Sequence, residues 1–179
     1  PSLVLLSPLA RNLHTGHEAC HELCAANPEV EVHVTPMLRE HTYSTCDVGS
    51  SPSVLQETWP AWASQLGEVR DQWWVPGHIA TPLSPEFDPT SRNHCRETWQ
   101  GLQDRAAGIM SLLREKEQQG HSQVLVVGHA VLFWALTDSW LSNCQLVELD
   151  MDRGPRDRCQ CSGFVCRCDN PEFDASEHT

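Results

Sequence analysis

Residues 123–136, QVLVVGHAVLFWAL, constrain the fold more than any other stretch of this chain. Val124, Leu125, Val126 and Val127 form an unbroken, mostly β-branched apolar run, the pattern of a strand buried on both faces. Gly128 and His129 follow at once, and residues 130–136 continue as an apolar helix. A strand that breaks at Gly-His into a helix sets its imidazole at the carboxyl edge of a sheet. In open α/β sheets that edge is where ligands bind. Taken alone, His129 reads equally well as a turn residue, a hydrogen-bonded core histidine or a ligand contact.

The rest of the chain supplies partners for that strand. Residues 2–6, SLVLL, predict a second buried strand, with Ser7 capping the helix that follows and Pro8 in its first turn. This helix runs from Leu9 to about Ala26, where Asn27-Pro28 stops it. Val30, Val32 and Val34 alternate with Glu31 and His33, which predicts a strand nearer a sheet edge, ended by Pro36. Residues 37–40, MLRE, lead into a polar, turn-rich stretch, and a helix over residues 53–66 is expected to break at Pro60. Residues 67–91 hold Pro76, Pro82, Pro85, Pro89 and the Trp73-Trp74 pair, and read as a long ordered excursion of the kind that covers a site. Trp99, Leu102, Ala106, Ile109, Leu112 and Leu113 make one apolar stripe in a helix over residues 91–119, which Gly120 ends. Residues 145–149 predict a last strand. Strands alternating with helices imply the α/β class, here a three-layer α/β/α arrangement around a mostly parallel sheet. Apolar density falls after Asp150, so residues 1–150 are expected as the domain and residues 151–179 as a disordered, cysteine-containing polar tail.

Length and charge narrow the function classes. A chain of 179 residues supports one domain with a sizeable core. With 12 basic and 24 acidic side chains the formal charge is −12, which argues against nucleic acid or anionic membrane as partners. An anionic substrate would need a local cationic pocket. No apolar run reaches the length of a membrane span, and residues 1–6 lack the basic start and length of a signal peptide. Of the nine cysteines, Cys20, Cys24, Cys46, Cys95 and Cys144 are scattered through the body, and without a secretory signal they predict reduced thiols in a cytoplasmic protein.

Three segments share one logic. Arg11 lies just beyond the end of the first strand, near a helix N-terminus; Glu40 lies beyond the second; His129 leaves the third. A guanidinium, a carboxyl group and an imidazole brought to one sheet edge suit phosphate chemistry, since arginine grips phosphate oxygens bidentately, helix N-termini attract anions, and a carboxyl group can protonate a leaving oxygen. A competing motif sits in the first helix: His17-Glu18-Ala19-Cys20-His21 matches the zinc-protease pattern H-E-x-x-H, with Glu40 further along as an imaginable third ligand. Its helix leads to a strand rather than to a ligand-bearing helix. Cys159, Cys161, Cys166 and Cys168 form a C-x-C-x4-C-x-C set able to bind zinc tetrahedrally, though the spacing departs from the usual C-x2-C pairs. The expectation is reduced tail cysteines and no metal or other cofactor.

These residues resemble the histidine phosphatases, the phosphoglycerate mutase-like superfamily. SPLARNLHTG is similar to that family's Ser-Pro-Leu-x-Arg-Ala-x-x-Thr-Ala run, whose arginine binds phosphate. TPMLRE resembles the segment carrying the acid–base glutamate, and VLVVGHAVLFWAL the segment carrying the second active-site histidine. ETWQGLQDRAAGIMSLLRE resembles the helix before that strand, including Arg105. The resemblance spans roughly residues 2–149 and implies a phosphomonoester hydrolase or phosphomutase acting through a phosphohistidine. Arg11 and His129 would contact the phosphoryl group, Glu40 would serve the leaving group, and a phosphorylated small molecule or phosphoprotein would be the substrate. The family's Arg-His-Gly motif, which carries the nucleophile, occurs nowhere in the sequence. The expectation is a truncated chain whose nucleophile lies upstream of Pro1 and whose sheet centre lacks a neighbour. The alternative is an inactive remnant that keeps the phosphate pocket as a binding or interaction module. Asn12, Gly16 and Ala130 depart from the family pattern at positions of Ala, Ala and Gly, which reads as minor.

Overall fold

Leu3, Val4, Leu5 and Leu6 are each at most 1% exposed, so the strand they form has no face toward water. A run of this kind needs a strand on either side and a helix layer above and below. The computed structural model, which describes residues 1–42, 45–75, 97–143, 145–151 and 154–155, supplies both. Strands β1 (Leu3–Leu6), β2 (Glu31–Val34) and β3 (Val124–Val127) make a parallel sheet in the order β2-β1-β3. Val4 stands opposite Val32 on one side and Leu125 on the other.

The two-residue period of β1 divides the core. Val4 and Leu6 pack with Leu9, Leu13, Cys20, Leu55 and Leu66, drawn largely from α1 (Ala10–Ala26), α2 (Pro52–Thr58) and α3 (Ala63–Glu68). Leu3 and Leu5 pack on the other face with Leu38, Leu102, Ile109, Leu113 and Leu132, chiefly from α4 (Trp99–Gln118) and α5 (Ala130–Thr137). Helices on both faces of a parallel sheet are the expected three layers. Pro60 breaks the second helical stretch as expected, its place taken by a 3-10 turn over Pro60–Trp62. Gly120, at φ 99°, takes the left-handed turn that closes the end of α4. At Gly16 a Cβ would come within 2.7 Å of the Leu6 side chain, so the departure from alanine there lets α1 lie close on the sheet.

Two expectations are corrected. Ser7 does not cap α1: Leu9 is the N-cap residue without a side-chain bond, and Ser7 Oγ, too far upstream to reach the helix amides, accepts from Leu9 N–H at 3.3 Å. Residues 145–149 do not join the parallel sheet. Only Leu149–Asp150 is strand (β4), paired antiparallel with β5 (Gly154–Pro155). A local turn holds the segment instead, through Gln145 N–H to Ser142 O at 3.1 Å and Ser142 N–H to Gln145 Oε1 at 2.8 Å, and Leu146 is left 81% exposed. Among the described residues the sheet ends at β3, whose Val124–Val127 are only partly buried. β1 and β3 pair directly, and Ser2 N–H extends the ladder to Gln123 O at 3.1 Å, because buried backbone groups must find partners.

Most of the proline-rich excursion, the four tail cysteines, Cys95 and Cys144 lie outside the described residues. Cys20 and Cys24 are free thiols. Among the described residues no helix is long and apolar enough to cross a membrane.

Candidate active site

Each strand of a parallel sheet presents its carboxyl end on the same edge. There β1 delivers Ser7, β3 delivers Gly128 and His129, and β2 runs through Thr35 into a 3-10 turn over Pro36–Leu38 that carries Arg39 and Glu40. Thr35 shapes that turn, its Oγ1 accepting from Met37 N–H at 3.3 Å. The backbone thus brings three separate stretches of sequence to one place before any side chain is considered.

His129 is the N-cap residue of α5 and is 7% exposed. Its Nε2 lies 2.9 Å from the Ser7 hydroxyl. The same hydroxyl accepts from Leu9 N–H at 3.3 Å, so Ser7 links the imidazole to the start of α1. Burial first, then the positive charge of Arg11, pull the imidazole down to about 3 against the opposing effect of Asp47, so His129 is neutral at physiological pH. Asn12, 4% exposed, ties the same two strand ends. Its Oδ1 accepts from Ser7 N–H at 2.9 Å and its Nδ2 donates to Gly128 O at 3.0 Å. The departure from alanine that read as minor is therefore a buried crosslink between β1 and β3.

Glu40 accepts from His41 N–H at 2.8 Å, and the Leu132 N–H dipole in the opening turn of α5 acts on the same carboxyl group. These groups and the Arg11 charge favour its carboxylate. Burial outweighs them and, with repulsion from Asp47, moves its titration upward, toward the protonated form. The segment carrying it is fixed from behind by Arg105 of α4, which donates to the carbonyls of Met37 at 2.8 Å and Arg39 at 2.7 Å. Arg105 and Arg39 both pair with Glu97, which is 2% exposed; the Arg39 contact is 2.8 Å. Burial and the neighbouring Arg105 charge bring Arg39 down to about 10, still a cation at neutral pH.

Arg11 stands on the first turn of α1 with 44% of its side chain exposed. Its Nη1 donates to Cys46 O at 2.7 Å and its Nη2 to Asp47 Oδ1 at 2.9 Å. Asp47, 7% exposed, belongs to a 3-10 turn over Thr45–Asp47, and its charge acts on both Glu40 and His129. Arg11 and Asp47 are ion-paired, and the charge of each acts on both Glu40 and His129. The arrangement offers an exposed guanidinium, a neutral imidazole and a carboxyl group tuned toward protonation, beside a helix N-terminus that favours negative charge.

Sequence reasoning missed Ser7, Asn12, Asp47 and Glu97 as members of this network. Ser7 and Asn12 carried a signal by standing inside the same motif as Arg11, and Glu97 by opening the segment that holds Arg105; Asp47 carried none. His17 and His21 are drawn elsewhere. Both are exposed on α1 with ring centroids 6.4 Å apart, and the His17 ring lies against Trp59 and Trp62. Among the described residues no three His, Cys, Asp or Glu side chains gather into a metal-sized group. Trp62, Trp73 and Trp74 are core residues rather than the lining of this pocket.

A family model described as the histidine phosphatase superfamily (branch 1) matches residues 1–175. No curated protein and no solved structure shows a match to the chain.

Proposed function

The chain belongs to the histidine phosphatase superfamily, branch 1, and from that premise we propose that its sheet edge binds the phosphoryl group of a phosphomonoester for hydrolysis or transfer through a phosphohistidine. What supports this reading is that Arg11, Glu40 and His129 follow the carboxyl ends of three parallel strands, with the charges of Arg11 and Asp47 acting on both Glu40 and His129. Arg11 holds phosphoryl oxygens with the N–H groups it still presents to solvent. His129 assists at the same oxygens, with Ser7 fixing its orientation. Glu40 gives a proton to the leaving oxygen and, in the second half-reaction, takes one from the water that attacks the phosphohistidine, a task its upward-shifted titration suits.

The attacking imidazole is assigned to an Arg-His-Gly segment that the 179 residues do not contain. His129 is a poor candidate for attack, because it is buried and its Nε2 is engaged by Ser7. The substrate is a phosphorylated small molecule or a phosphoprotein. A second reading, a phosphate-binding or interaction module without turnover, is favoured by that same missing motif.

Phosphate titration and turnover of p-nitrophenyl phosphate test both readings. The 179-residue chain is expected to bind inorganic phosphate, to lose binding in Arg11→Ala, and to turn over little, since absence of a covalent nucleophile removes most of the rate. A version carrying an Arg-His-Gly strand is expected to regain turnover; phosphate binding without turnover in that version selects the second reading. Robust turnover by the short chain, abolished in His129→Ala and accompanied by a trapped phosphohistidine, overturns the assignment of roles.

A further inference from the structure

We propose that Asp47 is a positioning residue for anion recognition, fixing the Arg11 guanidinium so that it meets a phosphoryl oxygen already oriented; this rests on the phosphate reading above. The two partners are unlike in exposure. The Asp47 carboxylate is 7% exposed while the Arg11 side chain is 44% exposed, so the acid is the anchor and the guanidinium the part that reaches toward water. Both acceptors lie on one short turn: Cys46 O receives Nη1 at 2.7 Å and Asp47 Oδ1 receives Nη2 at 2.9 Å. A guanidinium has about five N–H donors in a rigid plane, so these bonds set the plane and leave about three for a ligand.

The location of Asp47 makes the inference sharper. It bonds Arg11 directly at 2.9 Å, and its charge also acts on Glu40 and His129. A carboxylate beside an anion site repels the anion. Its presence there calls for a compensating task, and orienting Arg11 is the one the geometry shows. A half-exposed arginine otherwise samples many rotamers and loses that freedom on binding.

Charge and orientation predict opposite signs for the same substitution. If repulsion dominates, Asp47→Ala binds inorganic phosphate more tightly. If Asp47 positions Arg11, Asp47→Ala binds it more weakly, by about tenfold. Asp47→Asn keeps the acceptor oxygen and is expected to stay within about threefold of the parent chain or to bind more tightly. Asp47→Glu keeps the charge but moves the acceptor by one methylene, and is expected to weaken binding as Asp47→Ala does. This last variant carries the test should Asp47→Ala fail to fold, as judged by circular dichroism. Calorimetric or phosphorus-resonance titration of the full chain with inorganic phosphate reads all three. Asp47→Ala or Asp47→Glu binding as tightly as the parent overturns the inference while leaving the phosphate site intact. A parent chain that binds no phosphate, or binding indifferent to Arg11→Ala, overturns the functional reading itself and this inference with it.

Discussion

His129 shows at the scale of one residue how burial sets chemistry. Its folded titration near 3 lies below the ordinary value of 6.5, so between those values the unfolded chain binds more protons than the folded one. The stability it contributes is whole above about pH 6.5 and is lost as pH falls toward 3. Replacing it by Asn removes the proton uptake. The urea midpoint of the parent chain is expected to fall more between pH 7 and pH 4.5 than that of His129→Asn, by a difference of order 1–2 kcal/mol. Equal slopes for the two chains would show that the imidazole is not held neutral by the fold. Glu40 titrates in the opposite sense, its raised value giving stability that is present at low pH and lost as pH rises through it, so the comparison is made on His129 alone.

The turn that follows β2 makes the corresponding case for an element. It has no long helix of its own to hold it. Its shape comes from Arg105, which grips the carbonyls of Met37 and Arg39, and from Glu97, which is buried between the two arginines. Removing one member of a buried charge network leaves the others unpaired in a poor solvent for charge, a loss of about 3–5 kcal/mol. Glu97→Gln is therefore expected to lower the thermal midpoint strongly and to weaken phosphate binding, because the turn it supports carries Glu40. A variant with parental stability would mean that water already satisfies those guanidinium groups. By contrast the direct pairing of β1 with β3 rests on uncharged bonds, the ladder itself and the Asn12 crosslink.

Across the whole molecule, the sheet separates two cores that share no side chains. Leu66 lies in one and Ile109 in the other, each 0% exposed. Leu66→Ala is expected to cost about 2–5 kcal/mol and Ile109→Val about 0.5–1.5 kcal/mol. The double variant should lose their sum within about 0.5 kcal/mol, as measured by denaturant unfolding. A larger departure would mean that the layers communicate through the sheet. The same architecture separates what was legible in the sequence from what was not. The runs around Leu3, Val32 and Val126, the break at Pro60 and the stop at Gly120 are local patterns of period and backbone preference, and they determined the elements and their alternation before any contact was known. The placement of Arg11, Glu40 and His129 beyond strand ends was legible too, because parallel strands share their carboxyl edge. The partners were not. Arg11 finds Asp47 36 residues away, Arg39 finds Glu97 58 residues away, and Asn12 reaches Gly128 across 116 residues. The fate of residues 145–149 was equally hidden, since their alternation suits a strand but a two-bond turn at Ser142 and Gln145 holds them off the sheet. Such choices compare contacts between distant parts of the chain, and no local pattern records them; only packing the layers together decides them.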